Sequence, residues 1–214
     1  MSTMSSCRLT LFIAPEAGRA VILRRGPTRW VHLILWNMPS DEFEFGSWFE
    51  GRIYEDRCDL SPDGQFFLYF AANQSHRNWT ELGADAWTAI CQPPWVKAIV
   101  LYPSGCGTWG GGGQFVTTGD PMFADAQSEP LLPKSLRIAY GHYKRPHAPA
   151  VQEADSTGLD HKGQVVYSVG GKLWRCCSLH KGRQTLEQVA DFTELAPPDV
   201  RRNWKPQSSL GDSL

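Results

Sequence analysis

The stretch DLSPDGQFFLYFAA, Asp59 to Ala72, carries the clearest structural signal in the chain. Ser61-Pro62-Asp63-Gly64 separates two strand-like runs. Proline presets the first turn dihedral, and glycine accepts the positive φ that closes the turn. The run behind it is apolar and rich in aromatic residues, as a strand favours. A β-hairpin is predicted here.

Working outward, most segments repeat that grammar. RLTLFIA (Arg8 to Ala14) and RAVILRR (Arg19 to Arg25) flank a Pro-Glu-Ala-Gly turn. RWVHLILW (Arg29 to Trp36) follows Gly26-Pro27, and NMPSDE separates it from FEFGSWF (Phe43 to Phe49). Downstream, AWTAI and VKAIVLYP are divided by Cys91-Gln92-Pro93-Pro94, and a glycine-rich segment leads into QFVTTGD. LRIAYGHY, QVVYSVGGKLWRCC and TLEQVADF complete the strand-like runs. Helical periodicity is weak, with room for one turn in Trp79–Ala86 and another in DVRRNW. The prediction is an all-β domain over residues 1–198. Loop insertions are expected near 124–133 and 144–162, where Pro, Ala, Glu, Asp and Ser dominate, and 199–214 reads as a polar tail.

A dozen short strands at regular spacing are compatible with a sandwich, an open barrel or a propeller. DLSPDGQFFLYFAA resembles the inner-strand, turn and second strand of WD40-like and TolB-like propeller blades, and VVYSVGGKLWRC resembles a variant of the same hairpin. The resemblance implies a small irregular β-propeller of four or five blades, at about 40–50 residues per blade. It also implies that RLTLFIA completes the last, three-stranded block and closes the ring. The sandwich or open barrel is the alternative. The run from Gly51 to Val116 also resembles a group of bacterial proteins without an assigned function.

Composition excludes several classes. Lys+Arg (21) nearly balances Asp+Glu (22), so the basic excess of a general nucleic-acid binder is missing. No apolar run is long enough for a membrane helix, and residues 1–7 lack the pattern of a signal peptide, so a cytoplasmic location is expected. The six cysteines form no C-x-x-C pair and read as free thiols.

Candidate chemistry is sparse. Gly105-Cys106-Gly107-Thr108-Trp109-Gly110 spells G-x-G-x-x-G, but a strand-like QFVTT follows where a dinucleotide site needs a helix. His142 and His147 are spaced five apart across a proline, an unsuitable pair for zinc, and His32 reads as a solvent-facing or hydrogen-bonded strand residue. PSGCG lacks the leading glycine of a nucleophile elbow. Glu42, Glu44, Glu50, Glu55, Asp56 and Asp59 bracket an aromatic strand. Alternation explains them as an exposed face, with Arg52 and Arg57 available for surface ion pairs. No cofactor, metal or catalytic set is predicted.

The chain has nine tryptophans, seven of them between Trp30 and Trp109. Trp36, Trp48, Trp87 and Trp174 fall inside strands and are expected between sheets. Trp79, Trp95 and Trp109 stand beside turns, where tryptophan anchors protein interfaces. Those three, with Arg57 and Tyr54, form the predicted binding surface. The expected function is a non-enzymatic module that binds a protein partner, with an immunity-type neutraliser of a toxin as one subtype. A hydrolase of sugar, peptide or phosphoester and a small-ligand or glycan binder are the alternatives.

Overall fold

Short β-branched and aromatic runs cut by proline and glycine cannot sustain helices, and they fold into up-and-down antiparallel sheets. The computed structural model describes residues 7–26, 29–105, 107, 110–141, 151–180 and 183–197. Within them the chain is all-β, with four antiparallel sheets and none closed into a barrel. Sheet 1 is a meander of β1 (Arg8–Ala14), β2 (Arg19–Arg25), β3 (Trp30–Asn37) and β4 (Glu42–Glu50). Sheet 2 begins with β5 (Arg52–Ile53), a 3-10 turn (Glu55–Arg57) and β6 (Asp59–Leu60), which pair in succession along β7 (Phe67–Ala72). Helix α1 (His76–Leu82) then leads to β8 (Ala86–Cys91) and β9 (Ala98–Pro103). Sheet 3 pairs β10 (Gly113–Thr117) with β11 (Leu136–Tyr140). Sheet 4 is the meander β12 (Ser156–Leu159), β13 (Val165–Val169), β14 (Lys172–His180) and β15 (Arg183–Asp191).

The Ser-Pro-Asp-Gly hairpin forms as its sequence predicts. Gly64 sits at φ 67° and its amide donates to the Ser61 carbonyl at 2.8 Å. The Ser61 hydroxyl accepts the Phe66 amide at 2.9 Å, and Asp63 accepts the Gln65 amide at 3.0 Å. A side chain on Gly64 would meet Arg19 in sheet 1, so glycine here also permits the turn to dock.

Two expectations are corrected. RLTLFIA does not complete the last block: β1 pairs with β2 from Arg8↔Arg25 to Ala14↔Arg19. The last block has a fourth strand of its own, β12, inside the 144–162 segment expected to be loop. Its sequence STGL is short and only partly apolar, so the alternation that marks a strand is invisible. Gly158 suits that position because a Cβ there would press on the Ile13 side chain. The 124–133 segment is largely turns, with one bridge from Gln127 to Ile138. The helical turn expected at Trp79–Ala86 starts earlier, as α1, and ends where the Gly83 amide meets the Trp79 carbonyl at 3.0 Å. DVRRNW and the tail lie outside the described residues.

Three hydrophobic clusters join the sheets. Phe12, Val21, Leu23 and Leu33 of sheet 1 pack on Phe67, Tyr69, Ala89 and Cys91 of sheet 2. The opposite face of sheet 1, with Leu9, Ile22, Ile34 and Trp36, packs on Val166 and Leu173 of sheet 4. The far side of sheet 2, with Leu68 and Ile90, packs on Phe115 and Ile138 of sheet 3. Sheets 1 and 2 are therefore covered on both faces. This accounts for the near-continuous burial along β2 and β3, where strict alternation would expose every second residue. The layer order is 4–1–2–3, and the leading strands lie together: β1 runs beside β12, and β6 lies beside both β1 and β10. No helix among the described residues is long and apolar enough to cross a membrane.

Candidate functional site

The two ends of sheet 2 carry different features. At one end Phe67 pairs with Cys91, next to the β6–β7 and β8–β9 turns. At the other, Ala72 pairs with Ala86, next to α1 and the exit of β9. A six-residue strand separates the two by about 17 Å. Trp79 on α1 and Trp95 in the β8–β9 turn are both exposed, at 49% and 52%, but they stand at opposite ends. The predicted surface is thus two patches. Proximity in sequence misled because consecutive connections of a meander alternate between the ends of its sheet.

Trp95 is held on a fixed turn. Its amide donates to the Gln92 carbonyl at 3.1 Å, and the Ser47 amide of β4 donates to the Pro94 carbonyl at 3.0 Å. The Val96 amide reaches the Ser47 hydroxyl at 3.2 Å, and the Tyr69 hydroxyl donates to the Val96 carbonyl at 2.7 Å. Gly46 admits this turn, since a Cβ at that position would lie 2.1 Å from the Pro94 oxygen. The indole projects outward from a clasp between sheets 1 and 2.

Tyr54 precedes and Arg57 ends the 3-10 turn, which lies beside β7. The Tyr54 ring packs 5.3 Å from Phe70, with the Arg52 guanidinium 4.7 Å from its centre and that of Arg57 at 5.8 Å. Arg57 also donates to the Gly110 carbonyl at 3.2 Å and lies 5.1 Å from the centre of the Phe70 ring. These two residues are half-buried, and their visible role is to tie the 3-10 turn to the glycine-rich segment. Trp109 lies outside the described residues. Glu50 and Glu55 form ion pairs with Arg29 and Arg25, and the Arg52 and Arg57 guanidinium groups lie over aromatic rings.

On the Trp95 end, the leading strands leave a cavity of about 630 Å3. Ile13 and Ala14 at the end of β1, Leu60 of β6 and Phe115 of β10 supply its apolar wall. Glu16, Asp59 and Asp120 supply three carboxyl groups, and no lysine, arginine or histidine lines it among the described residues. Asp59 accepts the Phe115 amide at 2.7 Å, and Asp120 accepts the Met122 amide at 2.8 Å, which fixes both side chains. The Cys58 thiol is turned to the Tyr54 carbonyl at 3.1 Å. Sequence reading singled out Asp59 but missed Glu16 and Asp120, because only the convergence of three strands brings these acids to one mouth.

Buried polar groups elsewhere join elements. Arg175 pairs with Asp41 at 2.6 Å, Asp160 at 3.1 Å and Glu187 at 3.2 Å. Burial would raise the Asp41 carboxyl, but the Arg175 guanidinium outweighs it and holds the group below the usual carboxylate range. Arg24 donates to the carbonyls of Phe192 at 2.8 Å and Thr193 at 3.0 Å, and to that of Gly26. His32 donates through Nε2 to the Gly46 carbonyl at 3.2 Å and stacks on Trp48 at 4.2 Å, consistent with a hydrogen-bonded strand histidine. Burial lowers its pKa to about 4, partly offset by the Gly46 bond and reinforced by Arg24. Glu129 accepts the Tyr102 and Tyr140 hydroxyls at 2.9 Å each.

Of the remaining tryptophans, Trp36 and Trp87 are buried between sheets, and Trp48 and Trp174 are half-buried. β10 follows the G-x-G-x-x-G letters, so no helix N-terminus stands where a pyrophosphate would need one; Cys106, Thr108 and Trp109 of that motif are outside the described residues. So are His142 and His147. Cys7, Cys58, Cys91, Cys176 and Cys177 are free thiols. Among the described residues no group of three or more His, Cys, Asp or Glu side chains is arranged to hold a metal. Comparison with protein-family models, curated proteins and solved structures gave no match.

Proposed function

We propose that this chain is a non-enzymatic protein-binding module, built as a small irregular propeller of four blades. The propeller reading is supported by the layer order 4–1–2–3, in which neighbours in the chain are neighbours in space, and by the contacts of leading strands β1 with β12 and of β6 with β1 and β10. The four sheets would be the blades, with sheet 3 reduced to two strands.

The observation that carries the binding reading is Trp95. The turn that presents this half-exposed indole is held by bonds to Gln92, Ser47 and Tyr69, so its backbone is ordered before any partner arrives. Binding then costs little backbone ordering, and the indole supplies the large apolar contact typical of interface anchors. Trp79 stands on a different patch and serves as the internal control.

The test is affinity capture on the immobilised chain from cells that express it, followed by reconstitution with the purified captured protein. Trp95→Ala should weaken that complex by about thirtyfold or more, the scale of an interface hot spot. Trp79→Ala should leave it within about threefold. Absence of a reconstituted partner, or equal binding by wild type and Trp95→Ala, overturns the reading. Tryptophan quenching by an oligosaccharide, with no protein captured, would replace it with glycan binding.

A further inference from the structure

We infer that Arg24 and His32 form an acid-operated latch, in which a proton on His32 releases the segment after β15 and uncovers Phe43 and Phe45 of β4. The two side chains are cross-strand partners in the β2–β3 ladder, and they are only 2% and 3% exposed. They share the Trp48 ring, which stacks on His32 at 4.2 Å and lies 5.5 Å from the Arg24 guanidinium. Arg24 holds the segment through the carbonyls of Phe192 and Thr193. Phe192, fixed in this way, lies edge-on to Phe43 at 5.2 Å and to Phe45 at 6.2 Å.

The site accommodates one cation and not two. Neutral His32 spends its Nε2 proton on the Gly46 carbonyl, and its buried Nδ1 has no hydrogen-bond partner. A second proton would sit on Nδ1 with no acceptor. Burial is the main reason the closed site resists that proton; the Gly46 bond opposes this, and Arg24 adds to it. The surrounding elements bring no counter-charge to the imidazole. β4 presents the Gly46 carbonyl and the Phe45 and Trp48 rings, and its Glu50 is paired with Arg29. Sheet 4 presents Val166 and Leu173, while Arg175 lies over Trp36 among its own three carboxylates. Cys7 faces Arg24, and burial raises its thiol and keeps it uncharged. Asp155 and Asp191 act on Cys7 and are paired with Arg8 and Lys172. The Trp48 face favours a cation, but Arg24 already lies over it.

The imidazole is clamped between two rings, whereas Arg24 stands on a long stem, so the guanidinium yields. The Phe192 and Thr193 carbonyls then lose their donor and must turn to water, which lifts Phe192 off β4. Closure excludes the proton and opening admits it, so acid favours the open form.

The test is amide hydrogen exchange on the full chain at about pH 7 and about pH 4.5, corrected for the intrinsic rate. The amides of Phe192 and Leu195, bonded to the Gly171 and Phe192 carbonyls, report the latch. With an imidazole pKa of about 4 when closed and near 6.5 when open, their opening should rise roughly fiftyfold. That rise should not depend on urea below the unfolding midpoint, while the amides of β7 and β8 exchange more slowly and through a urea-dependent opening. His32→Phe fills the same slot without a titrating nitrogen and should remove the pH dependence. Arg24→Lys keeps the charge and loses the fork, and should raise opening about tenfold already at pH 7. Exchange at Phe192 and Leu195 that matches β7 and β8 in rate and urea dependence at pH 4.5 is global unfolding and overturns the latch. An equal pH dependence in His32→Phe, or wild-type protection in Arg24→Lys, overturns it too. The wild-type profile decides by itself, so a variant that fails to fold leaves the test intact.

Discussion

Sheet 1 is covered on both faces, and the two coverings differ in kind. Toward sheet 2 the contact is apolar, with Phe12, Val21, Leu23 and Leu33 meeting Phe67, Tyr69 and Ala89, and the thiols Cys58 and Cys91 adding bulk. Toward sheet 4 the apolar cluster is accompanied by buried Arg24, His32, Asp160, Ser168 and Arg175. Sheet 2 follows sheet 1 directly in the chain, so a short connection brings the two together. Sheet 4 arrives after more than a hundred residues, and an apolar face alone would leave its register free. Bonds such as the Leu11 amide to the Ser156 hydroxyl at 3.0 Å, and the Ser168 hydroxyl to the Leu9 carbonyl at 2.8 Å, exist in one register only. Shape fills the first interface, and direction-specific polar contacts locate the second.

The strongest challenge to this contrast is Phe67→Ala. Phe67 is fully buried, with its ring 5.0 Å from that of Phe12, and truncation should cost about 4 kcal/mol through lost burial and a cavity. A urea midpoint that barely moves would show that the apolar interface does not hold the sheets together. Arg175→Ala should cost about 3 kcal/mol, because Asp160 stays buried beside Asp41 and Glu187 with its cation gone. Adding Asp160→Ala should recover part of that loss. If the two losses simply add, Arg175 and Asp160 are not a coupled pair.

The polar face should also be the acid-sensitive one. His32 has a folded pKa of about 4, below its ordinary value near 6.5, so the unfolded chain binds the proton more readily. Its contribution is complete above about pH 6.5 and falls as pH drops toward 4, by at most about 3 kcal/mol. His32→Phe should flatten the stability profile across that window, read as urea midpoints at about pH 7 and about pH 4.5. An unchanged slope would remove His32 from the account. The smallest effect is expected at Trp95→Ala, whose exposed indole should change stability by no more than about 0.5 kcal/mol. A larger loss would mean that the indole itself is part of the clasp between sheets 1 and 2.

What could be read in advance follows the range of the interactions. The β6–β7 hairpin was legible because Ser61, Pro62, Asp63 and Gly64 encode their turn locally. Most strand runs were legible for the same reason. β12 was not, since Ser156-Thr157-Gly158-Leu159 becomes a strand by pairing with β13 and packing against β1. The pairing of β1 was misjudged because an apolar strand can join either neighbour until register decides, and Leu9 to Ala14 find theirs in β2. The acids at the mouth and the Arg175 cluster were hidden differently. Asp41 and Arg175 are 134 residues apart, and a lone charge gives no local sign of its partner. Exposure of Trp79 and Trp95 was anticipated from their turn positions, but the distance between them depends on which way each connection points.

The place of β1 has a mechanical consequence. Because β1 ladders with β2, and its outer edge meets sheet 4 through side chains such as Ser156 and Ser168, no strand ladder among the described residues joins sheet 4 to sheet 1. Sheet 4 is attached by packing and by side chains, including the Arg24 bonds to the segment that follows β15. A fluctuation that releases those side chains would detach β12 to β15 as one piece and leave every hydrogen-bonded ladder intact. The protein therefore has a seam, along which it can part without unravelling.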